Sequence, residues 1–427
     1  MRRSKWIRAG LCAALAVGLG CAPDSATEAA VTLTFSGSSL GAEGQLLLRQ
    51  LARFESANPG LRVEVRRTPD DASQRHQLFV QWLNARMGEP DVLQLDVVWT
   101  AEFAAAGWIR PLSAAAADLD AFVPAAVDAS RWNGRSFARP WFVDVGLLYR
   151  RTDLVPNEPS TFAELIRAAE SGMAEGTRYG LVLQAARYEG LLTGFLELLT
   201  AHGGEILDEN GDVAIDRTPA VAALTALRDL VRRGVVPREA LTWHEEETRF
   251  AFQNGEAVFM RNWPYAAALL ADSAESRVAG RFAVGPLPAA SEEGSAASTL
   301  GGALLAVNAY SRHPQEAERL IAFLTAPEQM RERATALGQW PAREALFADS
   351  AVRQALGVDA EAARRAIASA VARPVTPVYT QLSEIVQIAV HRTIAGQAEP
   401  GEALVGAARD VKELLSLSGL EEMRKEK

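Results

Sequence analysis

Asp91-Val-Leu-Gln-Leu-Asp-Val-Val-Trp99 decides how the chain is read. It is largely apolar, as a strand buried on both faces of a parallel sheet should be. Upstream, Val31-Thr-Leu-Thr-Phe35 and Leu61-Arg-Val-Glu-Val65 alternate in polarity and predict strands with one buried face. Ser36-Gly37-Ser38-Ser39 marks a loop after the first of them. Leu47, Leu51 and Phe54 then recur at helical spacing until Asn58-Pro59-Gly60 stops the helix. A further helix is expected over 73–87, with Leu78, Trp82 and Leu83 inward. Strand, helix, strand, helix, strand is the pattern of a doubly wound α/β unit.

The pattern changes near Trp141. Trp141-Phe-Val-Asp-Val-Gly-Leu-Leu-Tyr149 reads as one long extended run. Thr161-Phe-Ala-Glu164 is a capping box opening a helix. A strand is expected at 180–183, a helix at 188–201 and a hairpin with an Asn-Gly turn at 203–211. Helices follow near 219–233 and 245–253, then a strand at 257–260 ending in Arg261-Asn-Trp-Pro-Tyr265. Gly, Pro and Ser over 285–302 predict a loop, before a strand at 303–307 and a helix at 314–325. The remainder is helical apart from Ala372-Arg-Pro-Val-Thr-Pro-Val-Tyr379.

The N-terminus carries a different message. A basic head, a short apolar run from Leu11 to Leu19 and small residues at Gly20-Cys21 predict an export signal over 1–20. The run is too short to span a bilayer, which takes about 20 apolar residues. Gly20-Cys21 resembles a lipobox, in which Cys21 is lipidated, although Gly18 stands where that motif usually has Leu. Residues 21–30 then serve as a short polar linker. Cys12 and Cys21 are the only cysteines, so a chain beginning at Cys21 has no intrachain disulfide and depends on its core. The formal charge of −9 becomes more negative once Arg2, Arg3, Lys5 and Arg8 are removed. That balance disfavours nucleic acid as a partner.

Hydrolase and metal signatures are missing from the text. There is no Gly-x-Ser-x-Gly, no P-loop and no His-Glu-x-x-His, and the five histidines are scattered. Neither a metal nor a cofactor is expected. His244-Glu245-Glu246-Glu247 admits two readings: carboxylates for glycoside hydrolysis, or an acidic first helical turn matched to the helix dipole. Glu247 favours the second; Glu245 and Glu246 also suit a cleft. Trp82 and Trp108 read as packing. Trp263 and Tyr265 flank Pro264, which fixes φ, and continue no periodic face. Aromatic faces pack on the apolar faces of sugar rings, while charged side chains take the hydroxyls. Glu43, Asp96, Asp144 and Arg373 fall at predicted strand ends or loops, where such groups belong. Arg373 also suits a salt-bridged brace at a hinge.

The chain resembles the extracellular solute-binding proteins of carbohydrate ABC transporters, and among them the trehalose/maltose-binding lipoproteins. The carriers are Asp91 to Leu112, Pro140 to Tyr149, Asn262-Trp-Pro-Tyr265, Leu300-Gly-Gly302, Gln339-Trp-Pro-Ala-Arg343 and Ala372-Arg-Pro-Val375. The resemblance implies an α/β, two-lobed periplasmic-binding-protein fold of type II. Its ligand cleft lies between lobes joined by three crossings, near Asp144, near Gly301 and near 345–350. It divides the chain into 31–142 with 302–346, and 143–301 with 347–427. It implies ligand contacts at Ser38, Glu43, Asp96, Asp144, Glu189 beside Tyr188, Glu245, Glu246, Trp263, Tyr265, Gly301, Gly302 and Arg373. The implied function is a lipid-anchored, extracytoplasmic, monomeric receptor. It would pass a neutral disaccharide to an ABC permease without catalysis. A secreted glycosidase is the competing class. Some trehalose binders are Asn-rich where this chain reads Trp141-Phe-Val-Asp144, so a wider range of α-glucosides is implied.

Overall fold

The computed structural model describes residues 31–37, 41–69, 71–113, 119–357 and 360–418. The export signal, Cys21 and Ser38 lie outside the described residues. Two sheets organise the chain. The larger is built on β1 (Val31–Gly37), β2 (Leu61–Arg67), β3 (Val92–Asp96), β4 (Ala138–Val145) and a later strand, β9 (Ser298–Val307). The smaller holds β5 (Leu147–Arg151), β6 (Tyr179–Val182), β7 (Ala257–Asn262) and β8 (Phe282–Gly285).

In the larger sheet β1 runs parallel to both β2 and β3, and β9 pairs antiparallel between β3 and β4. Trp340–Pro341 extends the edge beyond β4, and Ala370–Val371 pairs with Ser298 and Thr299. The smaller sheet has the order β8-β5-β7-β6. The long extended run predicted over 141–149 is therefore two strands in two sheets, divided at Gly146. Gly146 is glycine because of a close approach. A Cβ there would overlap the carboxylate of Glu197 and lie 2.8 Å from Nη2 of Arg261.

Helices cover the sheets as amphipathic elements do. α1 (Gly41–Ala57) buries Leu47, Leu51 and Phe54 against Leu33, Phe35 and Val92. α2 (Ala72–Asn84) is capped by Asp71, whose carboxylate accepts from Gln74 N at 2.8 Å. α3 (Phe162–Ala174) opens at Thr161, which accepts from Glu164 N. Glu164 reaches back to Ser160 N rather than to the cap residue itself. α4 (Glu189–Ala201), α5 (Thr218–Arg232) and the C-terminal pair α9 (Tyr379–Ile394) and α10 (Pro400–Leu417) share one core on the smaller sheet. α6 (Glu245–Gln253) leads into β7, while α7 (Pro314–Leu324) and α8 (Pro327–Leu337) follow β9.

The chain passes between the sheets at Gly146, again ahead of β9, and again after Pro341. There Leu346, Phe347, Val352 and Ala363 join Val143, Leu147 and Met260 in one core spanning both sheets. Two expectations need correction. Residues 298–302 are strand, not loop, because Leu300, Gly301 and Gly302 pair with Val145, Asp144 and Val143. Gly302 has φ +116, and a Cβ there would strike Phe142 O and Val143 Cα. The 203–211 hairpin is reduced to a single bridge between Leu207 and Val213 around a turn at Gly211.

Beneath Gly146 lies an ion pair. Arg261 donates from Nε to Glu197 Oε2 at 2.9 Å and from Nη2 to Glu197 Oε1, and both side chains are almost wholly buried. Glu197→Ala leaves the guanidinium unpaired in the interior. The expected loss is about 3–5 kcal/mol of unfolding free energy, read from urea melts. A change within 1 kcal/mol would mean that solvent reaches Arg261.

Candidate functional site

Strand ends and helix starts from both sheets meet at a cleft of about 1190 Å³. Every site residue expected from the sequence and described in the structure lines it. Glu43, Asp96, Asp144, Gly301 and Gly302 stand on the side of the larger sheet, and Glu189, Glu245, Glu246, Trp263 and Tyr265 on the side of the smaller. Arg373 lies where the two sides approach.

On the small-sheet side, β7 ends at Asn262 and the chain turns through Trp263-Pro264-Tyr265. Asn262 fixes this turn by accepting from Trp263 N at 2.8 Å, and Tyr149 donates to Trp263 O at 2.7 Å. The Trp263 indole donates to Glu245 Oε1 at 3.2 Å. The Arg261 guanidinium covers one face of that ring at 3.9 Å, a cation–π contact. Tyr265 donates to Glu246 Oε1 at 2.7 Å. Burial opposes ionisation of Glu246, but bonds from Arg249 and Tyr265 outweigh it and hold the carboxyl below its ordinary range. Glu247 accepts from His244 N at 2.9 Å and so caps its own helix.

On the large-sheet side, Glu43 in the first turn of α1 accepts from Arg333 Nη2 at 2.6 Å and from Gln339 at 3.2 Å. Arg333 in turn stacks over buried Trp141 at 3.9 Å. Asp144 is the last residue but one of β4, opposite Gly301. Burial pushes its carboxyl up to about 7, and the negative charges of Glu43, Asp96 and Glu245 push the same way, against Arg261. A group in this position donates or accepts a hydrogen bond near neutrality.

Arg373 is buried and doubly engaged. Nη2 donates to Asp96 Oδ1 at 2.8 Å, and Nη1 donates to Glu189 Oε1 at 2.7 Å. Asp96 ends β3 of the larger sheet; Glu189 begins α4 on the smaller. Ser383 donates to Glu189 at 2.5 Å, and Tyr379 donates to it as well. This geometry fits the brace reading of Arg373. It makes Glu189 a holder of Arg373 more than a free acceptor.

Other cleft residues escaped the sequence reading. Phe142, Gln94, Gln339, Arg75 and Phe250 line it too. Phe142 carried a signal, since it alternates with buried Trp141 and Val143 on β4. Gln94 carried one too, as the polar residue inside the apolar run Val92–Leu95, whereas Arg75 in the first turn of α2 carried none. Among the described residues no group of His, Cys, Asp and Glu is placed to hold a metal ion. No helix among them is long and apolar enough to cross a membrane.

Residues 37–331 match the family of bacterial extracellular solute-binding proteins. The chain belongs to that family, whose members act outside the cytoplasm in transport and are not enzymes. A relative in Deinococcus radiodurans, described as a probable ABC transporter-binding protein, is 35% identical over 92% of this chain and 96% of its own. The structure of T. maritima MalE3 bound to maltose superposes with a TM-score of 0.84 at 39% identity, over 90% of this chain and 100% of that one. The GacH receptor of Streptomyces glaucescens, solved unliganded and with acarbose, gives 0.80 at 25% identity over 90% and 98%. These neighbours carry the same two-lobed fold.

The raised Asp144 carboxyl has a consequence for stability. The folded state holds its proton at pH values where the unfolded chain has lost it, so stability falls as pH rises from about 4 to about 7. Asp144→Asn removes that loss. The ligand-free variant should melt above wild type at pH 8 and with it near pH 4. An equal gain at both pH values would show that ionisation of Asp144 is not the cause.

Proposed function

We propose that this cleft captures a neutral disaccharide, an α-glucoside of the trehalose or maltose kind, and presents it to the membrane subunits of an ABC permease. The observation that carries the reading is convergence. Trp263 and Tyr265 supply aromatic surface, and Glu43, Asp96, Asp144 and Glu245 supply carboxyl groups, all at one cleft between two lobes. A pyranose has apolar faces and a rim of hydroxyls, which that combination suits. The lining counts ten Asp and Glu side chains against three Arg, and two of those, Arg249 and Arg373, are already held by carboxylates. Such a lining repels a phosphate or a carboxylate ligand. The sugars bound in the related structures point the same way.

In this reading the lobes follow the two sheets, with their junctions at Gly146, ahead of Ser298 and after Pro341, so that Asp144 and Gly301 go with the larger sheet. Sugar contacts made only when both lobes close shift the population toward the closed state. Ser38, Gly301 and Gly302 belong to the contact set, the glycines because they let the ligand approach the backbone of β9. The protein works as a monomer. It is tethered through a lipid on Cys21 after removal of 1–20, and Cys21→Ser should release it from membranes.

A thermal-shift panel of trehalose, maltose, sucrose and glucose tests the ligand. The right disaccharide at 100 times its Kd adds about 2.7 kcal/mol of stability, and no shift with any of the four sinks the proposal. By calorimetry, Asp144→Ala and Trp263→Ala should each weaken binding of that sugar roughly 10- to 100-fold while leaving the fold intact. Near-wild-type affinity in both would place the sugar elsewhere.

A further inference from the structure

Each wall of the cleft is backed by a buried arginine lying against a tryptophan. On the small-sheet side it is Arg261 over Trp263; on the large-sheet side it is Arg333 over Trp141. Arg333 is only 1% exposed and sits behind the cleft lining, not in it. Its bonded donors reach two residues that do line the cleft. Nη2 donates to Glu43 Oε1 at 2.6 Å, and Nε donates to Gln339 Oε1 at 2.9 Å. Gln339 Nε2 closes the triangle by donating to the same Glu43 oxygen at 3.2 Å. The three residues come from separate places in the fold. Glu43 belongs to the first turn of α1 and Arg333 to α8, while Gln339 follows Gly338, whose φ of +67 ends α8.

Two observations separate this triangle from ordinary packing. First, α1 and α8 are joined without it. Gln50, farther along α1, donates to Gln329 O and to Glu332 Oε2, both at 3.1 Å, and Arg53 pairs with Glu332. Second, Nη1 of Arg333 is buried with no hydrogen-bond partner among the described residues. A buried cation adds stability only when its hydrogen bonds are completed, and an apolar side chain of similar volume often serves the core as well. The charge of Arg333 is directed instead at two side chains that face the cleft.

We propose that Arg333 is a positioning residue for ligand capture: without touching the ligand, it holds the Glu43 carboxylate and the Gln339 amide in one preset arrangement on the large-sheet wall. This rests on the reading of the cleft as an α-glucoside site. A sugar ring carries adjacent hydroxyls, and a carboxylate and an amide fixed side by side suit two of them. Glu and Gln lose considerable rotamer freedom when held. Ordering them before the ligand arrives removes that cost from binding.

A double-mutant cycle, read by calorimetry with maltose and trehalose, tests the proposal. For whichever sugar wild type binds more tightly, Glu43→Gln should weaken binding roughly 10-fold and Arg333→Met roughly 3- to 10-fold. In the Arg333→Met background, Glu43→Gln should cost less than about 2-fold more, because the carboxylate has already lost its setting. A role in stability alone lowers the melting temperature without this coupling. Affinity within about 2-fold of wild type in Arg333→Met, or an equal Glu43→Gln loss in both backgrounds, overturns the proposal while leaving the α-glucoside reading standing. Should Arg333→Met not fold, Arg333→Lys decides. Lysine keeps the counter-charge for Glu43 but has no fork to reach Gln339 as well, so affinity should fall at least about 3-fold; unchanged affinity overturns the proposal. If wild type binds neither sugar, the α-glucoside reading fails first and this proposal fails with it.

Discussion

The Arg261–Glu197 pair is the interaction on which the rest of the structure depends. Moving two charges into the interior costs several kcal/mol for each ion, and geometry must offset it. Here the fork of Arg261 meets both oxygens of Glu197, and Nη1 finds Gln184 at 3.1 Å. Gln184 is in turn bound to Thr248 at 2.9 Å, which fixes the start of α6 relative to β7. The flat face of the guanidinium lies on Trp263, and its charge is felt by Asp144 across the cleft. One buried cation thus holds a candidate ligand platform in place and moderates the ionisation of a residue on the facing side.

The same pair sets what the crossings can be. Glu197 leaves room for no side chain at position 146, so the first passage between sheets is a glycine. Its carboxylate also accepts from Thr299 N at 3.3 Å, on the strand that makes the second passage. Ser298 donates to Gly146 O at 2.8 Å, and Thr299 donates to Thr193 O at 2.9 Å on α4. Two crossings distant in sequence are pinned side by side over one buried charge.

How much of this the sequence discloses depends on the range of the interaction responsible. Leu47, Leu51 and Phe54, or the alternation of 61–65, announce themselves because the period and the buried face are local. Asn262-Trp-Pro-Tyr265 announces a site because two aromatics around a proline fit no period. Ser298 to Gly302 reads as loop because its glycines and serine are judged by their neighbours. It becomes strand through pairing with β4, more than 150 residues earlier. Glu197 lies in the apolar helix Glu189–Ala201, where its burial demands a partner. Nothing local says that the partner is Arg261. Arg373 shows the remaining difficulty, since a guanidinium near a cleft suits a ligand donor and a brace equally until its neighbours are known.

Those neighbours give Arg373 a specific mechanical meaning. Asp96 belongs to the larger sheet and Glu189 to the helix above the smaller one, and a single guanidinium satisfies both. Any change of lobe separation that parts Asp96 from Glu189 must break one of the two bonds and leave a carboxylate without its counter-charge. Ligand binding alters the balance of open and closed states only through a difference in its affinity for the two. The brace therefore adds to one state a stability that ligand contacts must match if they are to favour another. Held by one guanidinium, Asp96 and Glu189 tie the two sides of the cleft together.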